Sequence, residues 1–301
     1  MKSQLLVRFA STLLMSSGLL LTSCHKKNLA TSDDDQDTTE AADHSAAENA
    51  ANDIMNVAGQ VADENGNSLA GRGTQTEETL GSCAIVKRDT IHKVDTVIFN
   101  NSVCFDGRMR NGMLIFDYSA SASGAMHYRN PGFKCSVKSN NYIVEGKSIE
   151  IINKTIENTT PSAFDAGSTN LTWKITGDIK VHNANGVHEI NYTRFKTLLN
   201  TANPSVYHGQ STAITWSLAR VGITGSASGT TAKGRSYTMN ITKQLVRDFG
   251  GCVIENRHPF IEGTLEFTPG SRPTRTVDFG NGSCDLDATV SIKNKTFNIK
   301  L

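Results

Sequence analysis

The side chains with the most chemical promise are scattered along the chain, and each is judged by its neighbours. Gly229-Thr230-Thr231-Ala232-Lys233-Gly234-Arg235-Ser236 has the spacing of a phosphate-binding loop, but Arg235 stands where such a loop needs Lys. The alternating stretch Tyr237 to Thr242 follows in place of the helix whose amides would meet the anion, so a hairpin turn is the better reading. His92, His127, His182, His188, His208 and His258 never fall at a metal-binding spacing such as His-x-x-x-His. His182 and His188 flank Asn185-Gly186 and would supply half a metal site across a hairpin; no third ligand is in view. Arg108-x-Arg110 and Arg272-Pro273-Thr274-Arg275 are the most pointed basic features. Guanidinium forks suit carboxylates and phosphates, so these four arginines are candidate contacts for an acidic glycan or lipopolysaccharide, with surface charge pairs inside a sheet as the alternative. Asp285 and Asp287 beside Asn281-Gly282 are a weak calcium signal. No Gly-x-Ser-x-Gly elbow occurs. The expectation is a protein that is not an enzyme and needs no metal or cofactor.

Cys24 is the exception to that scatter. Lys2 and Arg8 precede an apolar stretch, Phe9 to Leu21, that is too short to span a bilayer and ends in Leu21-Thr22-Ser23-Cys24. Small residues before a Cys form a lipobox, at which cleavage leaves a diacylglyceryl-modified Cys24 as the first residue. Two or three acyl chains, at about 0.8 kcal/mol per buried methylene, anchor a protein where one would not. Residues 1–23 are therefore read as a lipoprotein signal peptide.

Four of the other five cysteines follow an internal echo. Thr96, Val97, Phe99, Asn101 and Cys104 match Thr276, Val277, Phe279, Asn281 and Cys284 at a constant offset, and Gly81-x-Cys83-x-Ile85 matches Gly250-x-Cys252-x-Ile254. In an oxidising compartment the echo predicts the disulfides Cys83 to Cys104 and Cys252 to Cys284, each contributing about 3 kcal/mol by the chain-entropy estimate. Cys135 is left over, as a buried thiol, an alternative partner or a nucleophile.

Positioning these residues is a matter of strands. Leu171, Trp173 and Ile175, then Ile214, Trp216 and Leu218, then Tyr237, Met239 and Ile241, then Leu265 and Phe267, alternate with polar neighbours, as do Phe297 and Ile299. Asp106-Gly107, Asn111-Gly112, Asn185-Gly186 and Asn281-Gly282 supply the positive φ of tight turns. Residues 81–301 are expected to form one antiparallel β body, a sandwich or stacked meander sheets, with a possible subdivision near 200–205. Strand and helix do not alternate, which excludes a parallel nucleotide-binding architecture.

The net charge of +1 conceals a segregation. Residues 28–80 carry twelve acids against one base (net −11), while residues 81–301 carry 25 bases against 17 acids (net +8). Residues 24–80 therefore read as a disordered acidic tether, with Ile54, Val57, Ala58 and Val61 giving one short helix near 53–62. The Asp33-Asp34-Asp35 cluster after Cys24 resembles the surface-export signal of Bacteroidota-type lipoproteins, and an extended spacer is the equal alternative. The modest basic balance gives no support for nucleic acid.

Gly225-Ser226-Ala227-Ser228-Gly229, Gly234-Arg235-Ser236-Tyr237, Pro269-Gly270-x-Arg272-Pro273-Thr274-Arg275 and Asp278-Phe279-Gly280-Asn281-Gly282-x-Cys284-Asp285 resemble a set of uncharacterised Bacteroidota outer-membrane or surface lipoproteins. The resemblance covers about a quarter of the chain, and implies an address and a β architecture but no activity. The expected protein is a binding or structural module, lipid-anchored to the bacterial outer membrane and surface-exposed, whose partners are the membrane and a glycan or envelope component. An exported hydrolase and a fimbrial subunit are the alternatives.

Cys24→Ala, expressed in a bacterial host fed labelled fatty acid, should carry no label and leave the membrane fraction. Label and membrane partition retained in that variant would overturn the anchor.

Overall fold

The computed structural model describes residues 38–63, 81–104, 107–162, 170–209, 214–254 and 258–300. Residues 1–23, read as a signal peptide, together with Cys24, the Asp33-Asp34-Asp35 cluster and Asp106, lie outside the described residues. Among those described are one long helix, α1 (Thr39–Asp63), and thirteen strands: β1 (Ala84–Asp89), β2 (Val94–Val103), β3 (Met109–Asp117), β4 (Lys134–Val144), β5 (Lys147–Asn158), β6 (Thr172–Asn183), β7 (Gly186–Leu198), β8 (Arg220–Thr230), β9 (Ser236–Asp248), β10 (Glu262–Pro269), β11 (Arg275–Asn281), β12 (Asp287–Ile292) and β13 (Lys295–Lys300).

The strands form one antiparallel sheet in simple meander order, each hydrogen-bonded to its sequence neighbours. The all-β antiparallel reading stands, and the apolar faces inferred from alternation belong to a single sheet that curls around α1. Pairing of β7 with β8 runs from Leu198↔Val221 to Glu189↔Thr230, so the sheet passes unbroken across the polar stretch at 200–205. Val97, Phe116, Val137, Trp173, Ile190, Met239, Phe267 and Val277 point inward into one core with α1.

Local irregularities supply the curl. Register shifts interrupt the pairing of β2 with β3, β3 with β4, β5 with β6, β8 with β9 and β9 with β10, and each such bulge bends its strand and increases the twist. Asn111-Gly112 lies at one of them, inside β3, and not at the tight turn its composition predicts. Gly112 has φ +87°, and a Cβ there would strike the Asn141 carbonyl of β4. Asn185-Gly186 does turn the chain, between β6 and β7. The phosphate-loop-like segment is the β8–β9 hairpin, closed by the Thr231 N–H donating to the Arg235 carbonyl.

A second correction concerns Ile214, Trp216 and Leu218, which do not make a strand. Ile214 forms an isolated bridge with Tyr207, and Trp216–Leu218 is one 3-10 turn. The turn brings the Trp216 ring against Tyr128 and 4.3 Å from the Lys196 ammonium. Lys196, only 4% exposed, also faces the Tyr128 and Trp173 rings, and desolvation makes such cation–π contacts count.

α1 begins at Thr39, well before the 53–62 segment marked by its apolar stripe, and it is an interior element of the body. Eight of its 25 residues are Ala, the strongest helix former and a small one, which lets a sheet approach closely. Ala41, Ala47, Ala50, Ala51, Ile54, Met55, Val57, Ala58 and Val61 are all buried, and so are Glu40, His44 and Asp53. Residues 64–80 of the expected tether lie outside the described residues, but three of its acids within α1 are matched by arginines of the β body. Arg108 and Arg110 both donate to the Asp53 carboxylate, which also accepts the Tyr142 hydroxyl at 2.6 Å. Arg235 and Arg272 reach Glu40, and Arg194 reaches Glu48. At the other end Arg88 donates to the Val61 carbonyl at 3.0 Å, so carboxylate and guanidinium sit at the ends that the helix dipole favours.

The two disulfides are Cys83–Cys104 and Cys252–Cys284, with Cα separations of 4.9 and 5.3 Å. Cys135 is a free, buried thiol, and burial pushes its pKa up, which suits an inert core residue and not a nucleophile.

Burial alone would raise the Asp53 carboxyl, but Arg110, Arg108 and Tyr142 hold it below the ordinary carboxylate range. Asp53→Ala should therefore cost about 3 to 5 kcal/mol by stranding the fully buried Arg110 charge, read as a shift in the urea midpoint. The double variant Asp53→Leu/Arg110→Met should cost less than that single change. An Asp53→Ala midpoint equal to the wild type would show that this pairing does not hold the helix.

Candidate functional site

Three of the four arginines picked out as anion contacts do meet anions, but those anions belong to the chain. Arg108 and Arg110 face Asp53, Arg272 faces Glu40, and Arg275, fully buried, donates to the Pro273 carbonyl. His182 and His188 are not brought together. His182 pairs with Val187 and Val181 with His188, and a one-residue offset along a strand reverses the face. His182 lies outside near Glu150, whereas His188 points inward to α1. Asp285 accepts the Asp287 N–H, and Asp287 pairs with Lys300. Among the described residues no group of three or more His, Cys, Asp or Glu is placed to hold a metal.

Between α1 and the sheet lies a cavity of about 240 Å³ that no single segment of sequence announces. Its apolar wall is the inward face of β8 to β11: Ile223, Met239, Ile241, Leu245, Leu265 and Phe279. These residues fall there because alternate residues of adjacent paired strands share one face; Ile223 pairs with Leu245, and Ile241 with Leu265. Phe260, in the loop before β10, closes one side, its ring lying 4.1 Å from the Arg247 guanidinium.

The opposite wall is polar. Ser45, Glu48, Asn49, Ala50 and Asn52 of α1 face the cavity. Glu48 is ion-paired with Arg194, and Asn49 accepts a hydrogen bond from Arg247 at 2.9 Å. Burial lowers the Arg247 guanidinium to about 9. The small Ala50 side chain is what leaves space beside the helix. At the rim stand Arg108, Glu145 of the β4–β5 turn, Lys147 at the start of β5, His258, and Lys300 at the end of β13. Glu145 and Lys300 are exposed and mark the side that meets solvent. One cavity thus joins residues from α1, β4, β5, β7 to β11 and β13, which the curl of the sheet brings together.

A histidine pair adjoins this wall. His44 Nδ1 and His188 Nε2 are 3.2 Å apart, both rings buried, with Tyr237 and Phe267 packed against His44. Burial, then His188 and Arg194, push His44 well below the ordinary histidine value. Burial lowers His188 to about 4, against the opposing pull of Asp43 and Glu40.

His44, Glu48, Ala50 and the six apolar wall residues are absent from a motif-based inventory. The linear signals are Glu40, His44 and Glu48 at i, i+4 and i+8, which puts polar side chains on one helix face, and the strand alternation that carries Met239, Ile241 and Leu265.

No family model, curated protein or solved structure matches this chain.

Both imidazoles are held neutral when folded, and the unfolded chain takes up protons near pH 6.5. The unfolded state therefore binds more protons below that value, so stability should fall as pH drops from about 6.5 toward 4. The melting temperature should decline between pH 7 and pH 4.5, and less steeply in His44→Gln/His188→Gln. An unchanged slope in the double variant would assign the acid sensitivity to other groups.

Proposed function

We propose that the protein is a lipid-anchored binding module of the bacterial outer membrane, facing the cell surface, with the cavity between α1 and β8 to β11 as its ligand site. The lipobox at Cys24 supports the address, and two disulfides suit a chain exported to an oxidising compartment. The observation that carries the binding role is the cavity itself: an apolar wall facing a helix with convergent polar groups is the usual form of a small-molecule site. The natural ligand is then an envelope component small enough to enter, and Arg108, Arg110 and Arg272 serve the architecture of the site through α1. A bound molecule would touch α1 and the sheet together and so stabilise their union.

The test uses the full chain carrying Cys24→Ser, purified without detergent, and the neutral apolar probe N-phenyl-1-naphthylamine. One probe per chain should bind, with a blue-shifted and intensified emission. Ala50→Phe, which extends a side chain into the cavity from a helical position, should weaken binding at least tenfold. Ile241→Phe does the same from the opposite wall and covers the case in which Ala50→Phe fails to fold. Wild-type affinity in a folded filling variant would exclude the cavity as the site.

A further inference from the structure

The cavity combines three properties that together specify a ligand more narrowly than binding alone. Its volume, about 240 Å³, lies below the range of about 300 to 1,000 Å³ usual for drug-sized ligands, which favours one slender chain over a two-chain lipid or an oligosaccharide. Its inner wall is aliphatic and aromatic, with Ile223, Met239 and Leu265 nearly inaccessible to bulk water. Its rim is cationic: Arg108, Lys147 and Lys300 stand there against the single carboxylate of Glu145.

The partners of the rim groups sharpen the argument. Glu145 already accepts the Met109 N–H at 2.8 Å, and Arg108 contributes to holding Asp53. Lys300 pairs with Asp287 at a site where its side chain is 76% exposed, so solvent screens that pair and leaves it worth little. The two lysines are therefore the groups able to turn toward an incoming anion, and both lie where the cavity meets solvent. On the helix wall Glu48 is held by Arg194, so the interior adds no unbalanced charge to repel an acid head.

We infer that the site takes a single-chain anionic amphiphile, a fatty-acid-like molecule, with its alkyl chain against Ile223, Met239 and Leu265 and its acid group between Lys147 and Lys300. This rests on the cavity being the ligand site, and deepens that reading by naming the ligand class. The chain supplies affinity through burial of methylenes, and the lysines select the head and its orientation.

The experiment displaces N-phenyl-1-naphthylamine from the Cys24→Ser chain with saturated n-alkyl carboxylates of about 8 to 16 carbons, the matching n-alkanols, and a two-chain phosphatidate. Each added methylene should tighten carboxylate binding by up to about fourfold until the cavity is full, after which the gain should stop. At low salt the carboxylates should bind at least tenfold more tightly than the alkanols, and the difference should shrink as salt screens the exposed lysines. Lys147→Glu/Lys300→Glu should abolish that preference while leaving alkanol affinity within about twofold. If alkanols and carboxylates bind alike in the wild type, or the charge reversal leaves the preference intact, the acid-head assignment is wrong although the cavity remains a site. If phosphatidate displaces the probe more strongly than any single chain, the single-chain assignment is wrong. Only undiminished probe binding in the folded Ala50→Phe or Ile241→Phe variants removes the cavity itself.

Discussion

The structure depends on a largely buried helix carrying carboxylates that water would otherwise solvate. Asp53 is enclosed, and an isolated carboxylate in that setting would be protonated or would pull the helix out. Arg108, Arg110 and the Tyr142 hydroxyl, from two neighbouring strands, surround it. Glu40 and Glu48 repeat the arrangement with other strands. These contacts fix the rotation and axial position of α1 within the sheet, which apolar packing of many Ala residues alone would specify poorly. Buried ion pairs are weak sources of net stability, and their best-attested role is this fixing of register.

Once α1 is fixed, the cavity follows. The sheet curls to accommodate the bulky rings on one part of its inner face, where Tyr128, Trp173 and Trp216 gather around Lys196. Along the segment from Ser45 to Asn52 the helix offers short side chains, and the opposite strands offer Ile, Leu and Met that do not span the gap. Dense interiors leave few voids, so a space of this size beside polar helix groups is a property of the chosen residues and not a by-product of loose folding.

Much of the sheet was legible because alternation survives wherever one face is wet and the other dry. Trp173 and Ile175, or Tyr237 and Met239, declare their strands without any knowledge of neighbours. The cysteine echo was legible for a related reason: β2 and β11 each present Val and Phe inward in the same spacing, with a disulfide cysteine beyond the strand end. The helix was only partly legible. Ala and acidic residues look solvated in isolation, and the arginines that bury Glu40 lie some two hundred residues away. Asn111-Gly112 looks like a turn because the same positive φ serves a bulge. Ile214, Trp216 and Leu218 alternate, yet the demand for a ring beside Tyr128 overrides a strand. The cavity was not legible at all, since its walls meet only after the sheet curls.

The order of the chain gives the central helix an unusual history. α1 is made before every strand it touches, and Arg272, which completes its first turn, lies 232 residues later. Each hairpin of the meander is local and can pair as it emerges; Asp53 of the helix meets Arg110 and Tyr142 early, whereas Glu40 waits for Arg235 and Arg272. Contacts of such long separation are the slow ones to form. The helix therefore gains its contacts in stages, and a chain ended before Arg235 and Arg272 would keep the centre of the body but leave the buried Glu40 carboxylate without its guanidinium partners.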